Sequence, residues 1–101
     1  MKLVIEFDLD ADLIDVPQKV IDNREALRKQ FLKWLYNKET KHKYWNTIID
    51  SSGNKRVCLC YRGDAFVEWL NRKILTKNSE KATLIQSHIN DYAVNLPTIY
   101  F

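Results

Sequence analysis

The segment Lys55–Leu75 reads KRVCLCYRGDAFVEWLNRKIL and joins a β-rich apolar run to an aromatic run with helical spacing. Beyond its Gly-Asp step, the apolar residues fall within one sector at about 100° per residue, which predicts an amphipathic helix with Asp64 as its N-cap. The alternative is a tight hairpin at Gly63-Asp64 that leads into a further strand, Ala65–Leu70. We favour the helix because strict apolar–polar alternation is absent after Gly63.

The residues before this helix predict a β-hairpin. Two β-rich runs, Tyr44–Asp50 and Lys55–Arg62, flank the turn sequence SSGN at residues 51–54. A short link that contains Gly, placed between two such runs, is typical of hairpins. Both runs are apolar enough that we expect them to lie inside a sheet.

The amphipathic pattern in the first half of the chain predicts a second helix. Asp22 and Glu25 have the spacing of a capping box, so we place the helix start at Asp22 and its end near Asn37. Pro17 is the alternative start, because proline suits a first helical turn. Residues 38–43 are polar and basic and predict a loop.

The two ends of the chain predict further strands. Lys2–Leu9 alternates apolar and polar side chains, as a half-buried strand does, whereas Asp10–Val16 is acidic and irregular. For residues 79–92 we favour a helix capped by its first serine, and the alternative is a strand at Lys81–His88. Thr98–Phe101 predicts a terminal strand that follows a proline.

These elements predict one α+β domain over residues 1–101. We expect a small antiparallel or mixed sheet with two to three helices packed on one face. If Lys81–His88 is a strand, the order becomes the ferredoxin-like β-α-β-β-α-β unit. A chain of 101 residues has room for a single hydrophobic core.

Composition points to a cytoplasmic protein. The hydrophobic fraction is 46% with 2 Gly and 2 Pro, as in compact globular chains. Glu6 and Asp8 interrupt the apolar N-terminal run, which is not typical of a signal peptide, and no stretch approaches the ~20 apolar residues of a membrane span. The 2 cysteines, closely spaced, indicate reduced thiols.

Charge is unevenly distributed along the chain. Residues 1–23 contain six acidic and two basic residues, a net charge of −4, whereas residues 24–43 contain seven basic and two acidic residues, a net charge of +5. Residues 44–101 contribute the remaining +2. Mutual neutralisation, within the fold or across a homodimer, is the interpretation we favour over a basic face for a polyanion.

The sequence Phe7-Asp8-Leu9-Asp10 follows the first predicted strand and resembles the opening motif of haloacid-dehalogenase-like phosphatases. The resemblance implies Asp8 as nucleophile and Asp10 as general acid beside Mg²⁺. Ala11 and Asp12 stand where that family usually has Gly-Thr. The chain is also short for that family's core, so we predict no enzymatic activity.

Other candidate catalytic or metal-binding residues are few. Cys58 and Cys60 are two apart on a predicted strand and so share one face, where we interpret them as small core residues. A soft-metal site would need further ligands, and His42 and His88 are the only histidines. We therefore predict no metal and no cofactor, and we interpret both histidines as surface or hydrogen-bonded residues.

The octapeptide RGDAFVEW, Arg62–Trp69, resembles the RNP1 motif of the RNA-recognition-motif family. The matching residues are Arg62, Gly63, Ala65, Phe66 and Val67. The resemblance implies an RNA-binding strand. Asp64 stands where the motif has a base-stacking aromatic residue, and the motif requires the strand interpretation that we disfavour.

The segment 33–45 interleaves cations with aromatic rings and is the predicted functional region. We predict a non-enzymatic protein that binds a macromolecule, with another protein favoured as the partner and a second copy of the chain also considered. The alternative is nucleic acid bound by the same segment. A membrane partner is not expected. The predicted contact residues are Tyr36, Lys38, Lys41, Lys43 and Tyr44.

Overall fold

The structure is a computed structural model that describes residues 1–76, 80–90 and 95–101. Its α+β class confirms the prediction from the sequence. The elements in chain order are β1 (Lys2–Glu6), β2 (Ala11–Asp15), α1 (Gln18–Asp22), α2 (Arg24–Leu35), β3 (Trp45–Ile49), β4 (Lys55–Leu59), α3 (Gly63–Trp69), β5 (Thr83–Ile89) and β6 (Thr98–Tyr100). A π-helical turn, Leu70–Ile74, continues α3.

The main sheet is mixed, with the strand order β5-β2-β1-β6. β1 pairs antiparallel with β2, which places Glu6 opposite Ala11. β1 also pairs in parallel with β6, which places Ile5 opposite Ile99. β2 pairs antiparallel with β5 across two irregularities in register. The two terminal strands are therefore neighbours, and because they run parallel, Met1 and Phe101 lie toward opposite ends of them.

The helices pack on one face of this sheet, as predicted. Ile5 and Ile14 belong to the same core cluster as Phe31 of α2 and Phe66 of α3, and all four are 0% exposed. Side chains alternate between the two faces of a strand. Val4 accordingly belongs to a smaller cluster on the opposite face.

The acidic segment that we expected to be irregular forms β2. Ala11 and Leu13 belong to the cluster on the outer face, while Ile14 belongs to the principal core. Asp12 has 0% exposure and receives hydrogen bonds from Arg62. An acidic residue is tolerated inside the strand because a cation from a distant segment pairs with it.

Residues 83–89 form the strand β5, so the preferred helix was wrong over this range. β-branched Thr83, Ile85 and Ile89 favour extended structure locally. Pairing with β2 then satisfies backbone groups that a helix would have satisfied internally. Residues 77–79 and 91–94 lie outside the described ranges, and with them the predicted Ser79 cap.

The hairpin of β3 and β4 has the predicted strands and turn but lies outside the main sheet. Its register places Trp45 opposite Leu59 and Ile49 opposite Lys55. Within the described residues its strands pair only with each other, so the expectation that they lie inside a sheet was wrong. The element order also differs from β-α-β-β-α-β, because β1 and β2 form a hairpin of their own.

The helix boundaries differ from the predicted capping residues. Asp22 ends the short helix α1, for which Pro17 is the N-cap, and α2 begins at Arg24. α3 confirms the helix after the Gly-Asp step, but Arg62 is its N-cap and Asp64 lies in its first turn. In the described ranges, no helix combines the length and apolar character needed to cross a bilayer.

Candidate functional site

Four of the five predicted contact residues lie on residues 36–43, between the end of α2 and β3. The side chains of Tyr36, Lys38, Lys41 and Lys43 are exposed, Tyr36 to 59%. Lys43 lies 3.6 Å from a Glu68 carboxylate oxygen, while its own side chain stays 71% exposed. We call residues 36–43 the basic loop.

Tyr44 is the predicted contact residue whose side chain is enclosed by the fold. It is 5% exposed, and its hydroxyl donates a hydrogen bond to the Glu68 carboxylate. Burial, and then the hydrogen bond to the Glu68 carboxylate, raise the pKa of the Tyr44 hydroxyl well above its usual range. The Tyr44 hydroxyl connects the start of the hairpin to α3, and its role in direct partner contact stays a prediction.

Two tryptophans flank the basic loop and pack on a histidine between them. The ring centroid of His42 lies 4.9 Å from that of Trp34 and 5.5 Å from that of Trp45. His42 Nδ1 accepts the Tyr44 N–H, which assigns Nε2 as the donor to the Leu35 carbonyl at 2.9 Å. These rings hold the loop against α2, and both tryptophans are only partly exposed.

The hairpin carries exposed apolar side chains that the sequence did not single out. Ile48, Ile49 and Val57 are 50%, 66% and 65% exposed. Val57 and Ile49 lie on one face of the hairpin, while Ile48 and its partner Arg56 lie on the other. Each face therefore combines apolar and basic groups, and we call Ile48, Ile49, Lys55, Arg56 and Val57 the hairpin surface. The sequence of an apolar strand in an exposed hairpin cannot be distinguished from that of a strand inside a sheet.

A cluster of charged residues lies where β2, α3 and β5 meet. Asp12 accepts hydrogen bonds from Arg62 at 2.6 and 3.2 Å and from the backbone N–H groups of Gly63 at 2.8 Å and His88 at 3.1 Å. Desolvation favours the neutral acid, but these hydrogen bonds outweigh it and lower the pKa of Asp12. The carboxylate thus holds three elements together as an anion.

Asp10 extends this cluster to the surface of a cleft of about 540 Å³. Its carboxylate accepts hydrogen bonds from Arg62 Nη2 at 2.8 Å and lies 2.9 Å from His88 Nδ1. The Arg62 hydrogen bond, and then that of His88, lower the pKa of Asp10. His88, with φ of 58°, is therefore held in a network.

The Arg62 guanidinium is occupied by its partners. It bridges Asp10 and Asp12, and its Cζ lies 4.7 Å from the Phe7 ring centroid. A cation shared by two carboxylates has little attraction left for a phosphate. Phe66, one of the residues that match RNP1, is 0% exposed, and residues 63–69 form a core helix and not an RNA-binding strand.

The phosphatase-like residues do not form the arrangement that the resemblance implies. Asp8 and Asp10 lie in the connection between the antiparallel strands β1 and β2. Asp10 is engaged by Arg62 and His88, while the Asp8 side chain is exposed. Among the described residues, no group of three or more His, Cys, Asp or Glu side chains has a metal-binding arrangement.

The two cysteines lie at the surface, contrary to the prediction that they are core residues. Cys58 is half-buried and Cys60 is exposed. Their Sγ atoms are 3.8 Å apart, as the shared strand face leads one to expect.

Comparisons of the chain with protein-family models, with curated proteins and with solved structures find no match. Function is therefore inferred from the geometry of the basic loop and the hairpin surface.

Proposed function

We propose that this protein is a non-enzymatic binding module that docks a segment of another protein, one that is acidic and apolar, on the hairpin surface and the basic loop. One observation carries the proposal: a two-stranded hairpin outside the main sheet exposes Ile48, Ile49 and Val57 among basic side chains. Isolated hairpins are marginally stable in water, and a partner strand or surface would stabilise this one.

The outer edges of β3 and β4 suit the addition of an extended segment. Each strand has one edge that no other strand covers within the described residues. Backbone groups on such an edge bind an added strand through main-chain hydrogen bonds, and alternate side chains supply the specificity. Val57 and Ile49, on one face, would contact every second side chain of the added strand.

Charge supports an acidic partner. Lys38, Lys41 and Lys43 extend from the basic loop, and Lys55 and Arg56 lie on the hairpin. An acidic segment gains both attraction and a faster encounter from such a surface. A symmetric dimer through the same hairpin would instead bring like charges together.

The proposed compartment is the cytoplasm. A reducing compartment keeps thiols such as Cys58 and Cys60 in the free form.

Nucleic acid is the weaker candidate for the same surface. Its backbone would meet the lysines, but bases need exposed ring faces on which to stack. Trp34 and Trp45 pack on His42, which leaves Tyr36 as the exposed ring of the segment 33–45.

The test begins with a photo-crosslinking residue placed at Val57, which identifies the contacting protein in the native host. Binding of that purified protein is then measured by calorimetry with Ile49→Glu and, as the matched control, Ile85→Glu. Ile85 is an exposed isoleucine of the main sheet, 47% exposed against 66% for Ile49. We expect Ile49→Glu to weaken binding by about tenfold or more, since it removes apolar burial and adds repulsion. Equal affinities for the two variants would contradict the proposal.

Oligonucleotide binding is measured in parallel. Tight binding at roughly 50 mM salt that falls steeply as salt rises, and that a Lys38→Glu, Lys41→Glu, Lys43→Glu triple variant abolishes, would favour nucleic acid instead.

A further inference from the structure

Cys58 of β4 and Cys60, directly after β4, form a contact pair at the protein surface. Cys58 and Cys60 lie on the same strand face with 3.8 Å between their sulfurs. Across the hairpin, Asn46 Nδ2 donates to Cys60 Sγ at 3.6 Å. The second thiol therefore already lies near any group that becomes attached to the first.

The two thiols are not equivalent. Cys60 is exposed and lines both a cleft of about 460 Å³ and the cleft of about 540 Å³ that Asp10 borders. Cys58 is half-buried, and desolvation followed by the neighbouring Cys60 sulfur raises the pKa of its thiol. The thiolate is the reactive form, so an oxidant meets Cys60 first and Cys58 acts second.

We propose that Cys58 and Cys60 are a redox-active pair that small disulfides of the glutathione class convert to a reversible disulfide at the end of β4. The Cys60 thiolate attacks one sulfur of oxidised glutathione, forms a mixed disulfide and releases one glutathione thiolate. Cys58 then loses its proton to solvent and attacks Cys60 Sγ, which releases the second glutathione. The protein loses two protons and two electrons, and one oxidised glutathione becomes two reduced ones.

Strand geometry makes this disulfide easy to reduce. Residues two apart on an extended strand have Cα atoms roughly 6.6–6.8 Å apart, at the upper end of the range of about 4.4–6.8 Å found in disulfides. The sulfurs must also close from 3.8 Å to about 2.05 Å. β4 must shorten to allow this, and strained disulfides are the labile, regulatory ones.

Shortening of β4 would disturb the hairpin at its base. Cys58 pairs with Asn46, and the Cys60 N–H donates to the Tyr44 carbonyl at 2.9 Å. Val57 directly precedes the bridge, so its presentation on the hairpin surface changes on oxidation. Oxidation is therefore expected to weaken partner docking, a consequence that rests on the proposed function, whereas the redox pair itself does not.

The redox pair is tested on the full chain in buffers of reduced and oxidised glutathione, with acid quenching and mass spectrometry. We expect a species lighter by two hydrogen atoms that excess reduced glutathione reverses completely. Cys58→Ser should stop at a glutathione adduct on Cys60, and Cys60→Ser should react more slowly. A wild-type protein that accumulates the glutathione adduct or a covalent dimer, without the lighter species, would overturn the proposal.

The effect on the hairpin is tested by NMR of the reduced and oxidised forms. Calorimetry then measures how tightly each form binds the purified partner that crosslinking identified. Amide shifts concentrated in residues 44–60, with weaker partner binding, are expected. If the disulfide forms and partner affinity is unchanged, the regulatory part is wrong while the redox pair stands. If no partner binds either form, the proposed function fails, and the mass measurement still reports on the thiols alone.

Discussion

Asp12 is a charged side chain with 0% exposure, on a strand that begins directly after Asp10. Its oxygens accept hydrogen bonds from the Arg62 side chain and from the backbone N–H groups of Gly63 and His88. None of these donors is near it in sequence, the closest being 50 residues away. At the scale of single residues, this carboxylate connects the helical layer to the sheet.

Asp12→Ala should lower the free energy of unfolding by about 3 kcal/mol, because it leaves Arg62 without its buried partner and two N–H groups without acceptors. Asp8→Ala, at an exposed position on the same turn, should change it by less than about 0.5 kcal/mol. Urea unfolding measures both. Similar losses in the two variants would show that Asp12 is not the connecting residue.

Gly63 supplies the close approach that Asp12 requires. A Cβ there would lie 2.9 Å from Asp12 Cβ and 3.0 Å from Oδ2, inside a site that has no space to relax. We expect Gly63→Ala to destabilise the protein by roughly 1–3 kcal/mol through this overlap. Thermal unfolding tests it, and a Gly63→Ala protein as stable as the wild type would contradict the geometry.

Between the elements, the hairpin is fastened to the helical layer mainly at its base. Tyr44 precedes β3 and donates to Glu68 of α3, while Arg72 and Lys43 also approach the Glu68 carboxylate, at 3.1 and 3.6 Å. The strands beyond this point are largely exposed. A hairpin attached in this way can present its far end to a partner.

Tyr44→Phe removes one hydroxyl from this attachment and keeps the ring. The Tyr44 hydrogen bond is the largest cause that lowers the pKa of Glu68, so the pKa should rise in the variant. The free energy of unfolding should fall by about 1.5 kcal/mol, the lower end of the usual contribution of a hydrogen bond to a charged group. NMR titration and urea unfolding provide the two readouts.

Tyr100→Phe is the matched control, because Tyr100 is 65% exposed on β6. An unchanged Glu68 pKa in Tyr44→Phe, or an equal stability loss in Tyr100→Phe, would show that the Tyr44 hydroxyl does not attach the hairpin.

For the whole molecule, the acidic N-terminal segment is neutralised in part by a cation from a later segment. Arg62 pairs with Asp10 at 2.8 Å and with Asp12 at 2.6 Å. This cation lies outside the basic segment 24–43, so neutralisation of the acidic segment by that segment stays a prediction. The basic loop keeps much of its charge exposed to solvent.

Stability should fall in acid. The pKa values of Asp10, Asp12 and Glu68 are all lowered in the folded state. Their contribution is fully present above the unfolded-state values of about 4 and is lost as pH falls through the lower folded-state values. Urea unfolding between roughly pH 2 and pH 7 should show this decline.

Asp12→Asn should flatten the acid decline, because it removes one group that must take up a proton on unfolding. Asp8→Asn provides the control at an exposed carboxylate. If both variants lose stability in acid as steeply as the wild type, the lowered pKa of Asp12 does not contribute.

The sequence by itself determined the elements whose signals are local: α2 and α3 through their apolar spacing, the β3–β4 hairpin through its turn, and β6 after Pro97. Helical periodicity and turn residues involve neighbours within a few positions, so they can be read directly.

Only the tertiary structure decided the remaining features. Residues 83–89 became a strand because β2 offered an edge for pairing, and the hairpin became a surface because the main sheet did not include it. Asp12 is buried because Arg62, 50 residues away in sequence, pairs with it. A local sequence pattern cannot predict a contact over that separation. The exposed apolar residues of the hairpin, on which the proposed function rests, are visible only once the neighbours of each strand are known.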